Sequence, residues 1–272
     1  RRPPRSTLFP YTTLFRSAAA EMLRRVQKLL TEIEHETDDA RGIGRAIALG
    51  FAQCGGDVSI CARDPKALEE TRAEIAKLGR KAHAMSADLS KGDAVRGYVK
   101  TAAAALGGVD FLVNNASGFG SSDDDKGWGA NFTVDMMAIV HATQEALPAL
   151  KASKGSVLNI SSIAAHHPSA RQPPYGAMKA AVIHYTTTQA AMYARDKVRV
   201  NCIAPGSIDF PGGVWDRRKT DNPALYNGTL QSIPFGRMGT PEEIANVALF
   251  LASPLASWVT GQTIAVAGGQ GL

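Results

Sequence analysis

No apolar run in this sequence approaches the ~18 residues that a membrane span needs, so no membrane association is expected. Cysteine is scarce: Cys54, Cys61 and Cys202 have neither metal-ligand nor redox spacing. An odd, unpatterned set excludes a disulfide framework and suggests reduced, buried thiols in a cytoplasmic protein. An excess of one charge is also missing once position is considered. The formal net charge is +5, but residues 1–17 hold four arginines and no acid, which leaves the remainder near +1. That excludes a basic footprint for nucleic acid. His166 and His167 are adjacent but have no third ligand, so no metal is expected.

The 272 residues, 44% of them hydrophobic, suffice for one large α/β domain or two small ones. Runs that read as strands alternate with runs that read as helices, which implies one doubly wound α/β domain with a mostly parallel sheet.

The most informative stretch is Ser162 to Lys179, SIAAHHPSARQPPYGAMK. Tyr175 and Lys179 are four apart, so on a helix they share a face. Ser162 lies thirteen residues before Tyr175, just past SVLNI at 156–160, which reads as a buried strand. A strand end and a helix can bring a hydroxyl, a phenol and an ammonium to one point. A phenol with an unperturbed pKa near ~10 is a poor acid-base catalyst at neutral pH. A cation beside it favours phenolate, and a fixed hydroxyl can hold a carbonyl oxygen next to it.

This segment resembles the catalytic segment of the short-chain dehydrogenase/reductase family. So do RGIGRAIALGFAQCGGDVSICARD, ADLS, LVNNAS, VRVNCIAPGSI and RMGTPEEIANVALFLASPLASWVTGQTIAVAGGQ, and the likeness spans about residues 37–272. It implies a Rossmann-like fold and reversible hydride transfer between a nicotinamide cofactor and a carbonyl or secondary alcohol. Tyr175 would be the acid-base, Ser162 would orient the carbonyl, and Lys179 would lower the phenol pKa and hold the nicotinamide ribose. The family turn TGxxxGxG is met by TDDARGIG at 37–44, with Asp38 in place of the first glycine. Arg41, Gly42, Ile43 and Gly44 would cradle the pyrophosphate at a helix N-terminus.

Where NAD-preferring members carry an acid, this chain has Ala62, followed by Arg63, a residue suited to a 2′-phosphate. The expectation is NADP, with Asp64 leaving a narrow NAD case. Asp88 and Leu89 would meet the adenine, Asp88 also being a candidate cap for the next helix. Asn115 and Ala116 would flank the cofactor, and Pro205, Gly206 and Ile208 would close over the nicotinamide. Residues 118–129 read as a solvated loop, with the rim of the substrate mouth as the second reading. At the position of the family's fourth catalytic residue, an asparagine, stands Asp135, a departure from the family pattern. Residues 207–235 read as a long insertion over the site. Phe210, Val214, Trp215, Leu225 and Tyr226 within it suggest an apolar substrate.

The N-terminal segment, 1–36, does not resemble the family. In residues 1–17 TLF occurs twice, six residues apart. A transit peptide, a disordered tail and a translated sequencing adapter compete, and the repeat, which fits no structural period, favours the adapter. Residues 18–36 read as an amphipathic helix, with Met22, Val26, Leu29, Leu30 and Ile33 at spacings of three and four. The family's first strand belongs there, and TEIEHE at 31–36 is too acidic for a strand buried on both faces. The first strand is therefore expected to be missing or replaced, and the sequence upstream of about Ala40 to be in error.

The reading is an NADP(H)-dependent oxidoreductase with a small carbonyl or alcohol substrate, 3-oxoacyl thioesters among the open choices. The resemblance implies a homodimer or homotetramer. The alternative is a non-catalytic nucleotide-binding or assembly member of the same fold.

Overall fold

The computed structural model describes residues 27–32 and 42–272. Among these, seven strands form one sheet in the order β3-β2-β1-β4-β5-β6-β7, all parallel. The strands are β1 (Lys28–Glu32), β2 (Asp57–Ala62), β3 (Ala82–Ser86), β4 (Phe111–Asn114), β5 (Ser156–Ile160), β6 (Arg199–Pro205) and β7 (Thr263–Val266). The strand order reverses between β1 and β4. This is the switch point at which doubly wound sheets open a crevice beyond their C-terminal strand ends.

The expected absence of a first strand is corrected here. Residues 28–32, KLLTE, fill the central slot between β2 and β4. Leu29 and Leu30 satisfy a helical period and a strand equally well over so short a run. The packing resolves this: both are 0% exposed, and they bury on opposite faces of the sheet. Of the glutamates that argued against a strand, the described run carries only Glu32, and Glu34 and Glu36 lie outside the described residues. The remainder of the expected helix 18–36, the adapter-like segment, and Thr37, Asp38 and Arg41 lie outside the described residues. Side chains anchor the strand's start: the Asp110 carboxylate accepts from the backbone N–H groups of Gln27 (2.8 Å) and Lys28 (3.0 Å). At its other end the Thr31 carbonyl accepts from the Tyr98 hydroxyl at 3.3 Å.

Helices cover both faces. On one lie α1 (Ile43–Gln53), α2 (Pro65–Lys77) and α9 (Pro241–Ala252), which bury Ile47, Phe51, Ile75 and Ile244 against Leu29, Ile60, Phe111 and Leu158. On the other lie α3 (Gly92–Leu106), α5 (Ala138–Ser153) and α6 (Pro173–Tyr193), which bury Val99, Leu150 and Tyr193 against Leu30, Leu112 and Val157. The alternation of Leu29 with Leu30, Phe111 with Leu112, and Val157 with Leu158 is the period-two signature of strands buried on both sides. Before α5, the helix α4 (Asp125–Asn131) runs into a π-helical turn, Phe132–Met137. The span 207–235, read as an insertion, holds two short helices, α7 (Val214–Asp221) and α8 (Pro223–Gln231). No helix among the described residues is long and apolar enough to cross a membrane.

The placement of β1 yields a direct prediction. Leu29→Ala and Leu30→Ala should each cost about 2–5 kcal/mol of stability in urea denaturation, the range for emptying a packed leucine site. A loss below about 1 kcal/mol for either would mean that this strand does not fill the slot.

Candidate active site

The site is built where β5 ends. Ser161 donates from its hydroxyl to the Lys179 carbonyl at 2.7 Å, which ties that strand end to the second turn of α6. Pro173 and Pro174 open the helix, where a missing N–H is harmless, so Tyr175 and Lys179 stand on its first two turns. Ser162 follows Ser161; its Oγ accepts from the Ala164 N–H at 3.2 Å and starts the 3-10 turn Ile163–Ala165. Ser162, Tyr175 and Lys179 all line one cleft of about 1150 Å³ beyond the strand ends.

Lys179 is the electrostatic centre of this cleft. Its side chain is 3% exposed, and its ammonium donates to the Ile160 carbonyl at 3.1 Å and pairs with Asp135 Oδ1 at 2.8 Å. Burial disfavours the charged lysine, but the Asp135 carboxylate and the Tyr175 phenol outweigh it and hold the lysine pKa above its usual value. The ammonium lies 5.6 Å from the centroid of the Tyr175 ring. On that ring Phe119 stacks, with centroids 5.8 Å apart and planes within 14°. Nearby on β6 the Cys202 thiol is pushed up to about 11 by burial, so it remains a protonated, inert group at neutral pH.

Of the residues expected to hold a cofactor, Ile43, Asn115, Tyr175, Lys179, Pro205, Gly206 and Ile208 border the cleft. Gly42 caps α1 with φ 96° and ψ −152°, a conformation open to glycine alone, and no side chain caps that helix. The N-terminal end of that helix, with no acid in its first turn, suits a phosphate. Gly206 turns tightly after β6: a Cβ there would lie 2.9 Å from the Ala267 Cα. These features fit a nicotinamide dinucleotide. Gly44, Leu89 and Ala116 are buried beside the cleft rather than lining it. Arg63 and Asp88 are exposed at the ends of β2 and β3. The Ser90 hydroxyl holds the Asp88 carboxyl below its usual range, with the charges of Lys91 and Arg63 adding to the effect. The cap expected of Asp88 is local: it binds Ser90, while Lys91 sits at the N-cap of α3. Asp64 uses its carboxylate to cap α2, accepting from the N–H groups of Lys66 and Ala67.

Ser117, Phe119 and Ser121 border the cleft, in line with the second reading of 118–129 as a rim rather than with a solvated loop. Phe210, Val214, Trp215 and Leu225, singled out in the sequence, line the cleft; Tyr226 is not among its lining and instead lies 5.7 Å under the Lys219 ammonium. Other features leave no local trace in the sequence. Gln270, near the C-terminal end, clasps Ser207 by two hydrogen bonds at 2.9 and 3.1 Å. Beneath the cleft runs a fully buried polar network. Asn114 Nδ2 donates to Asn159 Oδ1 at 2.8 Å, and Asn159 Nδ2 donates to Thr186 Oγ1 and Gln189 Oε1 at 2.9 and 3.0 Å. The partners come from β4, β5 and α6, so no local spacing rule reveals the set.

The family model described as "Enoyl-(Acyl carrier protein) reductase", of the short-chain dehydrogenase/reductase family, matches residues 39–270. The chain is 36% identical over 243 residues to a 3-oxoacyl-(acyl-carrier-protein) reductase of Chlamydia muridarum, covering 86% of this chain and 95% of the relative. It is 34% identical to the 7alpha-hydroxysteroid dehydrogenase of Escherichia coli strain K12, covering 86% and 91%. Among solved structures, L-sorbose reductase from Gluconobacter frateurii, complexed with NADPH and L-sorbose, superposes with TM-score 0.80 at 30% identity, covering 90% of this chain and 96% of that one. The fold and cleft define a doubly wound, nicotinamide-binding oxidoreductase of the alcohol dehydrogenase or carbonyl reductase type. The chain belongs to the short-chain dehydrogenase/reductase family.

The buried network should be essential to the fold of the site. Asn159→Ala leaves Asn114 and Gln189 short of buried partners and should cost at least about 1–3 kcal/mol. Urea denaturation reads this, and a loss below about 0.5 kcal/mol would mean that the network is not rigidly formed.

Proposed function

We propose that this chain uses NADP(H) to interconvert a carbonyl and a secondary alcohol, with 3-oxoacyl thioesters as the first substrate class to test. The observation that carries the reading is the convergence of Ser162, Tyr175 and a charged, buried Lys179 on one cleft. The cofactor supplies the hydride. Tyr175 donates its phenolic proton to the developing alkoxide on reduction and takes it back on oxidation. Ser162 donates to the carbonyl oxygen and orients it. Lys179 holds positive charge beside the phenol, which favours its ionised form.

The choice of NADP rests on Arg63 at the end of β2, exposed and preceded by Ala62, and on Asp64 being engaged as a cap. Charge-assisted contacts between guanidinium and phosphate are among the strongest hydrogen bonds available. A structural relative was solved with NADPH, and the Chlamydia relative is named for reduction of 3-oxoacyl groups on a carrier protein. Phe210, Val214, Trp215 and Leu225 would receive an apolar acyl chain or ring. We read residues 37–272 as the family domain, with β1 contributed from upstream, and infer a cytoplasmic homodimer or homotetramer. Asp38, Asp135 and a missing first strand would favour the non-catalytic alternative. The strand is in place, and Asp135 keeps Lys179 charged rather than disabling it.

Two mutations test the reading. Tyr175→Phe should abolish NADPH-dependent reduction of acetoacetyl-coenzyme A while leaving NADPH affinity largely intact; Lys179→Ala should damage both. Near-native turnover in Tyr175→Phe would sink the assignment. Arg63→Ala should weaken NADPH binding by about 1.5–3 kcal/mol, the range for hydrogen bonds to charged groups, and leave NADH binding nearly unchanged. Equal affinity of the unaltered protein for the two cofactors would contradict the choice of NADP.

A further inference from the structure

We propose that Asp135 is a positioning residue that sets the pH at which this site works: by neutralising Lys179, it makes the Tyr175 phenol a weaker acid than an unneutralised lysine would. The inference rests on the reading of Tyr175 as the proton donor. Asp135 sits in the π-helical turn Phe132–Met137, and such turns insert a residue that re-aims the side chains around it. Asp135 is 0% exposed, and its carboxylate makes one ion pair and one hydrogen bond. Oδ1 pairs with Lys179 Nζ at 2.8 Å, and Oδ2 accepts from the Gly118 N–H at 2.9 Å.

The charge arithmetic is simple. An ammonium 5.6 Å from the phenol ring pulls the phenol toward phenolate. A full negative charge at contact with that ammonium cancels most of the pull. An amide in the same place would accept a hydrogen bond and cancel none of it. The second oxygen extends the role of Asp135 to geometry. Gly118 is fixed, since a Cβ there would meet the Ala130 carbonyl oxygen at 2.3 Å. The next residue, Phe119, adopts φ 45°, unusual for a residue with a side chain, and stacks on Tyr175. One carboxylate therefore holds both the cation beneath the phenol and the loop above it. An asparagine would put an NH2 donor in place of one of these oxygens, against either the Lys179 ammonium or the Gly118 N–H.

Other charged and titratable groups near the phenol come from several elements. Cys202 lies on β6, and the same cleft is lined by His167 and Arg171 between β5 and α6 and by Arg218 on α7. None of these changes when Asp135 is substituted, so a difference between variants reports on Asp135.

The test compares the unaltered protein with Asp135→Asn, each with and without Tyr175→Phe. Near-ultraviolet tyrosinate absorbance is titrated, and subtraction of the Tyr175→Phe curve isolates the one phenol. That phenol should ionise about one pH unit or more lower in Asp135→Asn, the size of a nearby charge effect. The alkaline limb of the rate profile with NADPH and acetoacetyl-coenzyme A should move down with it. An Asp135 of purely structural importance would lower the rate and leave both profiles in place. Ionisation at the same or a higher pH in Asp135→Asn overturns the proposal. If the phenol shifts but reduction survives Tyr175→Phe, the proposal on acidity stands and the assignment of Tyr175 as proton donor fails. Should Asp135→Asn not fold, Asp135→Ser removes the same charge in a smaller side chain, and the same two outcomes decide.

Discussion

A lysine ammonium out of reach of water is the constraint around which this molecule is arranged. Removing such a charge from solvent costs several kcal/mol, and the cost is met only when close partners with good geometry surround it. Lys179 has those partners: the Asp135 carboxylate at 2.8 Å and the Ile160 carbonyl at 3.1 Å. Each comes from a different part of the chain. Ile160 ends β5, Asp135 sits in the π-helical turn before α5, and Lys179 itself stands on α6. The three elements must meet closely or the charge is stranded, and the same meeting delivers Ser162 and Tyr175 to the cleft.

The fold supplies that meeting with rigid parts. β5 is buried at all five positions, and its Asn159 links β4 to α6 through the polar network below the cleft. Ser161 then fixes the strand end to the backbone of α6. Against this stiff floor, the wall formed by α7 and α8 is built differently. Both are short and have no buried residues, and both contribute lining side chains to the cleft. In the proposed reading, chemistry belongs to the floor and substrate choice to the wall. That division is consistent with relatives that share the fold and are named for substrates as different as a carrier-bound 3-oxoacyl group and a steroid.

Much of the architecture was legible because it is local. DVSICA and SVLNI coincide with β2 and β5, and the first two turns of α6 carry the Tyr-Lys pair at helical spacing. The error at β1 has a physical cause. Five residues are too few to separate a period of 2 from 3.6, and the acidic TEIEHE run weighs against a strand although Leu29 and Leu30 pack as one. Asp135 was legible as a departure from the family pattern, but its pairing with Lys179 was not, because a contact across forty-four residues leaves no local trace. Phe119 was missed for a similar reason. Its place over Tyr175 depends on a backbone φ of 45°, which composition does not announce.

The central claim is that the ion pair between Lys179 and Asp135 organises the site, and a double-mutant cycle on unfolding free energy tests it most directly. Asp135→Asn, Lys179→Met and the double variant would be compared with the unaltered protein by urea denaturation. Each single change leaves a buried group without its partner, so the account predicts strong non-additivity, with a coupling above about 1 kcal/mol. Effects that add to within about 0.5 kcal/mol would show that the two residues do not sense each other, and would contradict it.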